Sequence, residues 1–397
     1  MHYSLGHRQC RILAINSGSS SLKVSLYDID TTEQVLLAAE VRRIGIPGGR
    51  IRATDAQGKT LLDQPVNLAD HAAALNTTLK WLRDRNQEIN AVGHRIVHGG
   101  PDYTEPQVIT RELVSTLQEL APIDPDHLPQ AIAAIEAVRR EHPPLLQVAC
   151  FDTGFHRQMP QVAQVCPLPA RFHDEGILRY GFHGLSYEYV MSELCRLDDA
   201  LADGRVVIAH LGNGASMAAI HRGRSLDTTM GFTPTAGLLM GTRSGDIDPG
   251  VLLYLIEEKK MTAKAVNDLL NRQSGLLGIS GVSEDMQDLL ERKQRDSRAA
   301  LAVELFCVRA KKYLGAYASL LGGLDVVVFT AGIGEHAPEI RERICSGLEF
   351  MGLKLDPARN CENAPVISAK NSQVKVRVIR TNEELMIARH TARLVGP

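Results

Sequence analysis

The chain has 397 residues, of which 44% are hydrophobic, and a formal net charge of −2 at pH 7. That length favours two domains, and the charge balance gives no reason to expect nucleic acid or an anionic membrane as a partner. The seven cysteines are scattered without a C-x-x-C spacing, which argues against a disulfide framework or a zinc site and predicts a reducing, cytoplasmic location. No run of 18 apolar residues occurs, so we expect no membrane span.

Two segments of similar design, residues 11–28 and 206–220, each combine an apolar run, a turn of glycine and small polar residues, and a second run. This is the pattern of a β-hairpin. Turns of this composition leave backbone N–H groups open to an anion. We interpret the two segments as the phosphate loops of a duplicated domain; two unrelated Gly/Ser turns are the alternative.

The rest of the chain contains further strand and helix patterns. The patterns predict further strands within 35–66 and at 91–100, 145–151, 325–329 and 374–379, and helices at 69–85, 111–120, 128–141, 249–259, 263–273, 299–321 and 385–394. Residues 274–291 are predicted to be a Gly/Ser loop that leads into a helix, and residues 330–335 a glycine loop. Pro338 is predicted to open a helix, because proline is favoured in the first turn.

Three polar side chains stand where α/β proteins place ligand-binding groups. Arg95 lies inside an apolar strand, which favours a functional role over a solvated surface charge; the neighbouring His94 and His98 suit a structural role equally well. Asp152 directly follows a buried strand and suits either magnesium binding or a helix N-cap. His183 precedes a helix that begins near residue 186, where it suits anion binding or a structural role.

Residues 228–248 form a segment that is poor core material and is typical of a phosphate-binding surface. It holds six threonine and serine residues around one cation, Arg243, followed by Asp246 and Asp248. No Ser-His-Asp order and no poised cysteine occurs, and the Gly-x-x-x-x-Gly-Lys loop is absent. Phosphoryl transfer needs positioning and charge stabilisation rather than a covalent nucleophile, and arginines suit that purpose. The sequence therefore predicts a phosphoryl-transfer enzyme.

At this point the chain is seen to resemble the acetate kinase family of the actin/hexokinase/heat-shock-70-like superfamily, over nearly all of residues 11–395. The resemblance rests on nine ordered matches. They are NSGSSSLK (16–23), GHRIVHGG (93–100), FDTGFH (151–156), RYGFHG (179–184), HLGNGAS (210–216), MGFTP with MGTRSGDIDPG (230–234 and 240–250), SGLLGISGVS (274–283), FTAGIGE (329–335) and TNEELMIARHT (381–391). So many matches in order are highly specific, whereas one alone is not.

The resemblance implies a duplicated, ribonuclease-H-like (actin/hexokinase-like) α/β fold of two domains with the active site in the cleft between them. Residues 1–151 with the C-terminal helix 384–397 would form the first actin-like ATPase domain, and residues 152–383 the second. The implied reaction is reversible, magnesium-dependent, direct in-line phosphoryl transfer from ATP to acetate or another short-chain carboxylate, giving acetyl phosphate and ADP, with Mn²⁺ as a substitute metal. A homodimer is expected, since the family tends to dimerise.

Site residues follow from the matching positions. The implied catalytic residues are Arg95, Asp152, His183 and Arg243, with Arg95, Val97 and Pro234 around the carboxylate. Asn16 and Glu383 would hold magnesium, and Asp152 would bind or position it. The implied nucleotide-binding residues are Asn16, Ser19, Ser21, Lys23, His210, Asn213, Gly214, Asp285, Met286, Gln287, Gly332, Ile333, Gly334 and His336. The carboxylates Glu383 and Glu384 also suit a simpler role, complementing a helix dipole.

Several positions depart from the family pattern. Gln287 replaces the usual arginine beside adenine, and His336 the usual asparagine, which bears on the choice of phosphoryl donor. Leu185 and Tyr187 stand in a stretch that usually continues Thr-Ser-His, and His127 is a candidate for a displaced family histidine. The alternatives are a propionate or butyrate kinase, a sugar kinase of the same superfamily with Asp152 as base, and a non-catalytic, chaperone-like ATPase.

Overall fold

The computed structural model describes residues 10–18, 21–29 and 33–396. The strands are β1 (Arg11–Ser17), β2 (Ser21–Ile29), β3 (Glu33–Arg42), β4 (Arg50–Asp55), β5 (Thr60–Pro65), β6 (Ala91–Ile96), β7 (Gln107–Val108), β8 (Leu146–Phe151), β9 (Arg205–Leu211), β10 (Ala215–His221), β11 (Arg224–Thr228), β12 (Val326–Thr330) and β13 (Lys375–Val378). Short 3₁₀ helices cover Gly154–His156 and Glu349–Met351.

The helices vary widely in length and include several single turns. They are α1 (His71–Arg83), α2 (Arg111–Leu120), α3 (Leu128–Glu141), α4 (Gln161–Gln164), α5 (Ala170–Asp174), α6 (Gly184–Leu197), α7 (Asp199–Ala202), α8 (Pro249–Glu257), α9 (Ala263–Arg272), α10 (Gly275–Ser280), α11 (Met286–Arg292), α12 (Ser297–Leu320), α13 (Ala331–His336), α14 (Pro338–Cys345), α15 (Pro357–Cys361) and α16 (Glu383–Val395). Among the helices of the described ranges, none has the length and hydropathy needed to cross a bilayer.

The chain divides into two compact units, the first ending at Gly154 and resuming at Asn382, the second spanning Phe155–Thr381. Over the described residues the first unit has one eight-stranded sheet in the order β5-β4-β3-β2-β1-β6-β8-β7. The second has a five-stranded sheet in the order β11-β10-β9-β12-β13. That each unit is an actin-like ATPase domain stays a prediction.

Five strands of the first sheet have the same topology as the five strands of the second. In the first unit β3, β2 and β1 pair antiparallel and β1, β6 and β8 pair parallel; in the second, β11, β10 and β9 pair antiparallel and β9, β12 and β13 pair parallel. The predicted hairpins are β1–β2 and β9–β10, at equivalent places in the two sheets. The duplicated α/β fold predicted from the sequence is therefore confirmed.

The core of the first unit lies between its sheet and the helices α1 and α3. Leu13, Leu26, Ile51, Leu75 and Val92 belong to one buried cluster. The final helix α16 packs on β1, β6 and β8. The helix fits closely because the β6 residue that faces it is Gly93. A Cβ at that position would collide with the helix. This packing brings the start of α16 to the ends of these strands.

In the second unit, α6 and α7 pack against the sheet through a second buried cluster. Val206 and Ile208 on β9 and Val326 and Val328 on β12 contribute alternate side chains to it, as residues on one face of a strand must. The long helix α12 contacts β9 and β10.

Two predicted loops contain helices. The predicted glycine loop at 330–335 is wrong, because α13 occupies Ala331–His336. Its formation depends on Glu335, whose Oε1 accepts a hydrogen bond from the backbone N–H of Ala331 at 2.9 Å. Similarly, the predicted loop at the start of 274–291 contains α10, which contacts α12 and includes the buried Leu276. In both cases tertiary contacts override the low helix propensity of glycine.

Candidate active site

Polar side chains of the first unit meet where β1, β6 and β8 end. Asn16 is near the end of β1, Arg95 is near the end of β6, and Asp152 directly follows β8. Glu383 is the first residue of α16. Because the three strands are parallel, their carboxyl ends lie at one edge of the sheet, which is where α/β proteins bind ligands. The structure thus brings these four predicted site residues together.

The guanidinium group of Arg95 is held from two sides. Its Nε donates to Asp152 Oδ2 at 2.9 Å, its Nη2 donates to the same oxygen, and its Nη1 donates to Asn16 Oδ1 at 3.1 Å. Burial lowers the pKa of Arg95, but the charges of Asp152 and Glu383 raise it by more, and the net pKa is raised. Arg95 is therefore a fixed, permanent cation of the kind that suits phosphoryl oxygens.

The carboxylate of Asp152 is completely buried. Its Oδ2 is engaged by Arg95, and its Oδ1 has no hydrogen-bond partner among the described residues. The alternative interpretation of Asp152 as a helix N-cap is therefore wrong. Burial raises the pKa of Asp152, the charge of Arg95 opposes this, and the negative charge of Glu383 adds to it, so that the pKa is raised overall.

The two glutamates at the start of α16 are both bonded to Asn16. Its Nδ2 donates to Glu383 Oε2 and to Glu384 Oε1, each at 2.9 Å. The helix itself is capped by Asn382, whose side chain accepts from the N–H of Leu385 at 3.0 Å. The carboxylates thus complement the helix dipole and also belong to the site. Sequence reasoning missed the contact of Glu384, because only the fold places it beside β1.

The oxygen-rich group around Arg95 fits a divalent cation. The carboxylates of Asp152 and Glu383 pair with Arg95, and Asp152 Oδ1 is buried without a hydrogen-bond partner in the described parts of the chain. No cluster of three or more acidic, histidine or cysteine side chains that could enclose a metal is found within the described residues. Mg²⁺ is commonly held by one or two carboxylates together with substrate phosphates, so this donor set suits it.

The first Gly/Ser turn connects β1 to β2. Ser19 lies outside the described residues. Gly18 donates its N–H to the carbonyl of Ser21 at 2.9 Å, and His71 Nε2 donates to the Gly18 carbonyl at 2.7 Å. Lys23 is exposed on β2. The turn is braced by a buried histidine that sequence reasoning did not single out.

His183 in the second unit has an unusual backbone and a fixed ring. It is the N-cap of α6 with φ of +61°, a left-handed conformation that is uncommon for non-glycine residues. Its Nδ1 lies 2.9 Å from Ser216 Oγ, which lies 2.6 Å from the hydroxyl of Tyr187. Its ring stacks on that of His210 at a centroid distance of 4.1 Å. These contacts fix the imidazole plane.

The predicted residues His183, Gly214 and Arg243 are neighbours in the second unit. A Cβ added to Gly214 would lie 3.2 Å from His183 Nε2 and 4.0 Å from Arg243 Nη1. Arg243 Nη1 also donates to the carbonyl of Pro234 at 3.2 Å. The glycine therefore leaves room beside two groups that can stabilise negative charge.

Ser216 and Tyr187 support this arrangement, although the sequence did not identify either as a site residue. Ser216 lies directly opposite His210 across the β9–β10 hairpin, so its position depends on the sheet register. His210 Nδ1 lies 2.8 Å from Ser186 Oγ, which lies 2.8 Å from Thr381 Oγ1. Two chains of polar contacts, from Tyr187 to His183 and from His210 to Thr381, therefore meet at the stacked rings of the two histidines.

The hydroxyl groups around Arg243 serve the loop itself. Thr228 Oγ1 donates to the Met217 carbonyl, while Thr235 Oγ1 and Thr242 Oγ1 donate to Asn271. Asp246 Oδ1 accepts from the Gly237 N–H at 2.8 Å. The predicted phosphate-binding surface is therefore a loop in which these hydroxyls hold the backbone, and Arg243 is its cation. Asn213 is exposed at the hairpin turn, and its carbonyl accepts from the Gly241 N–H at 2.9 Å.

The predicted adenosine residues fall on two helices. Asp285 is the N-cap of α11, accepting from the N–H groups of Gln287 at 2.7 Å and Asp288 at 3.3 Å. Met286 is 4% exposed and contributes mainly to the core, whereas Gln287 is exposed. Four other predicted residues belong to α13, of which Gly332 and His336 are exposed, Ile333 is half-buried and Gly334 is buried.

Three histidines of the first unit have local partners. His94 Nε2 donates to Gln147 Oε1 at 2.8 Å, which supports its structural interpretation. His98 Nδ1 accepts from the Gly100 N–H at 2.9 Å, and His127 Nδ1 lies 2.7 Å from Asp124 Oδ1. Val97, which precedes His98 in the chain, is buried just after β6.

Comparisons with known proteins show the family of the chain. The acetokinase family model matches residues 11–389. The chain is 46% identical to an acetate kinase of Rhodopseudomonas palustris (strain TIE-1) over 391 residues, covering 96% of this chain and 98% of that protein.

Two solved structures have the same fold over nearly their full length. An acetate kinase from Porphyromonas gingivalis aligns with a TM-score of 0.86 and 39% identity, covering 98% of this chain and 100% of that one. A propionate kinase from Francisella tularensis subsp. tularensis SCHU S4 aligns with a TM-score of 0.90 and 35% identity, covering 97% and 99%.

Proposed function

The chain belongs to the acetokinase family and is a phosphotransferase, and we propose that it transfers the γ-phosphoryl group of ATP to acetate. A carboxylate oxygen of acetate forms a bond to the γ-phosphorus as the bond from that phosphorus to ADP breaks, giving acetyl phosphate and ADP. The reaction runs in both directions. The observation that carries the proposal is Arg95, a half-buried and permanently charged guanidinium held between Asp152 and Asn16 at the ends of parallel strands.

The proposed chemistry needs no general base. A short-chain carboxylic acid, with a pKa of about 4 to 5, is already ionised at neutral pH. The main obstacle is the repulsion between the acetate anion and the phosphates. The permanent positive charges of Arg95 and of Arg243 would offset that repulsion, and His183 would stabilise the developing charge.

Magnesium belongs to the proposal through the carboxylates of the first unit. Asn16, Asp152 and Glu383 would bind or position it, and the amide of Asn16 also donates a hydrogen bond to Glu383. The bound ion would neutralise phosphate charge and orient the nucleotide, and Mn²⁺ would serve in the same way. The residues of the chain keep Arg95 and these carboxylates at fixed positions beside the strand ends.

Acetate is favoured as the acceptor because the more identical relatives are acetate kinases, whereas the propionate kinase is 35% identical. Val97 and Pro234 are the proposed walls of the carboxylate pocket. One additional methylene changes binding by about 1–3 kcal/mol, so propionate should react more slowly rather than not at all. We place the enzyme in the cytoplasm on the basis of its cysteine pattern.

A homodimer is proposed on the basis of an exposed apolar helix. In the described structure α8 has no buried residue. Its large apolar side chains are between 41% and 57% exposed, and they are Val251, Leu253, Tyr254 and Ile256. Apolar groups clustered in this way on a surface favour association with another protein chain, here a second copy. Light scattering should give twice the mass of one chain, and Leu253→Glu should give the single-chain mass. A wild-type monomer would contradict the proposal.

The function is tested by trapping acyl phosphate with hydroxylamine. With Mg-ATP, acetate should give the most hydroxamate, propionate less and butyrate least, and glucose should not stimulate ADP release. ATP should exceed GTP as donor despite Gln287 and His336. Phosphorylation of glucose without hydroxamate from any acid would favour a sugar kinase. ATP hydrolysis unaffected by every acid would favour the chaperone-like ATPase.

A further inference from the structure

Arg341 on α14 is the largest side chain that is fully buried in the described structure, with an exposure of 0%. Its guanidinium group makes five hydrogen bonds. Nη1 donates to the carbonyls of Gly334 at 2.9 Å and Glu335 at 3.0 Å. Nε donates to Asn360 Oδ1 at 2.9 Å, and Nη2 donates to the Asn360 carbonyl at 2.7 Å and to Asn363 Oδ1 at 2.6 Å.

All five acceptors of Arg341 are neutral. A buried charge is costly unless it is paired, and burial lowers the pKa of Arg341 to about 10, which still leaves it protonated at neutral pH. Aliphatic side chains would fill the same core volume at lower cost. The arginine therefore contributes a planar, forked donor. Its hydrogen bonds join α14 to α13 and to the segment that contains Asn360 and Asn363.

Two of those bonds fix the carboxyl-terminal half of α13. The carbonyls of Gly334 and Glu335 lie in its last turn, where intrahelical partners are missing and a cation is favourable. The amino-terminal end of α13 is held by the side chain of Glu335, the residue whose carbonyl Arg341 binds. There Ala331 has φ of +65°, and Glu335 Oε1 accepts from the N–H groups of Ala331 at 2.9 Å and Thr381 at 3.1 Å. A helix of six residues cannot hold this shape by itself.

We propose that Arg341 is a positioning residue for nucleotide binding, which holds α13 so that Gly332 and Ile333 present a fixed surface to the adenosine moiety. This rests on the proposed function, in which α13 contacts ATP. Arg341 itself does not touch the nucleotide, since its donors are occupied by Gly334, Glu335, Asn360 and Asn363. Its loss should therefore weaken nucleotide binding and leave the acetate site and the phosphoryl-transfer residues as they are.

The test compares Arg341→Lys with Arg343→Lys on the same helix. Lysine keeps the charge at position 341 but cannot donate along five fixed directions. Arg343 is a matched control, because its guanidinium is partly exposed and its Nε donates to Glu339 at 2.8 Å. Arg341→Lys should raise the KM for ATP and the calorimetric Kd for ADP about tenfold, with the KM for acetate and kcat changed by less than about twofold. Arg343→Lys should behave as the wild type.

Asn363→Gly provides a milder variant in case Arg341→Lys does not fold. It removes one acceptor, and glycine tolerates the φ of +52° at that position. It should raise the Kd for ADP by a smaller factor in the same direction. A folded Arg341→Lys protein with wild-type Kd for ADP, or an equal rise in the KM for acetate, would overturn the inference. A wild-type protein that binds no nucleotide would instead overturn the proposed function.

Discussion

Arg95 Nε and Asp152 Oδ2 are joined by a hydrogen bond of 2.9 Å. Arg95 lies near the end of β6, and Asp152 directly follows the neighbouring parallel strand β8. The side chain of Asp152 is wholly buried, while that of Arg95 is 14% exposed. Asp152 is therefore shielded from solvent, whereas part of the Arg95 side chain is accessible. This geometry lets the carboxylate fix the guanidinium without occupying the space into which a ligand would come.

Asp152→Asn should reduce kcat about a hundredfold or more. The amide keeps the size of the side chain, but Arg95 loses its charged partner and the proposed cation loses a ligand. Steady-state kinetics with acetate and Mg-ATP measure the effect. Asp63→Asn is the control, since Asp63 pairs with Arg50 at the exposed edge of the first sheet. An Asp152→Asn enzyme that kept more than about a tenth of wild-type kcat would show that the carboxylate only supports the fold.

Gly214→Ala should lower activity by about tenfold or more. The added methyl group would lie 3.2 Å from His183 Nε2, closer than ordinary contact, and would fill the space shared by that imidazole and Arg243. Gly315→Ala is the matched control, because a Cβ there meets nothing within 4 Å and the position lies inside α12. Equal kcat/KM for both variants and the wild type would contradict the placement of the reacting group beside Gly214.

Two buried histidines predict how stability depends on pH. Burial lowers the pKa of His94 and of His156 to about 4 from an ordinary value of 6.5. As the pH falls from about 6.5 to about 4, these histidines therefore bind protons in the unfolded chain but not in the folded chain. Above pH 6.5 these histidines do not reduce the free energy of unfolding, and by pH 4 each one lowers it by up to roughly 3 kcal/mol.

Urea unfolding at pH 7.5 and pH 5 should thus show a fall in the free energy of unfolding of about 2 kcal/mol for each histidine. His94→Gln should remove its share of that pH-dependent fall, whatever the variant does to stability at pH 7.5. A free energy of unfolding that is the same at both pH values, or a His94→Gln variant with the wild-type dependence, would contradict the assignment.

Local patterns predicted most of the fold. The helices α2 and α3 begin and end at the predicted residues, because their apolar spacing is regular and Thr110 and a proline mark their starts. Both hairpins were predicted from their turns. By contrast, α13 was mistaken for a loop, since its glycines have low helix propensity and its stability comes from Glu335 and Arg341, which act through tertiary contacts.

The site was predicted as residue types rather than as contacts. Strand ends identified Arg95 and Asp152, and family resemblance supplied the role of Glu383. The bonds of Asn16 to Glu383 and Glu384 span more than 360 residues of sequence, so no local pattern indicates them. Likewise, Ser216 supports His183 only because the β9–β10 register places it there.

The most direct test of the proposed chemistry follows phosphorus itself in the wild type and in Arg243→Lys. With acetate and Mg-ATP, ³¹P magnetic resonance should show acetyl phosphate and ADP forming in equal amounts, and the variant should form them about a hundredfold or more slowly. Arg224→Lys, an exposed substitution on β11, should match the wild type. Inorganic phosphate and ADP as the only products, or an Arg243→Lys enzyme at the wild-type rate, would contradict the account.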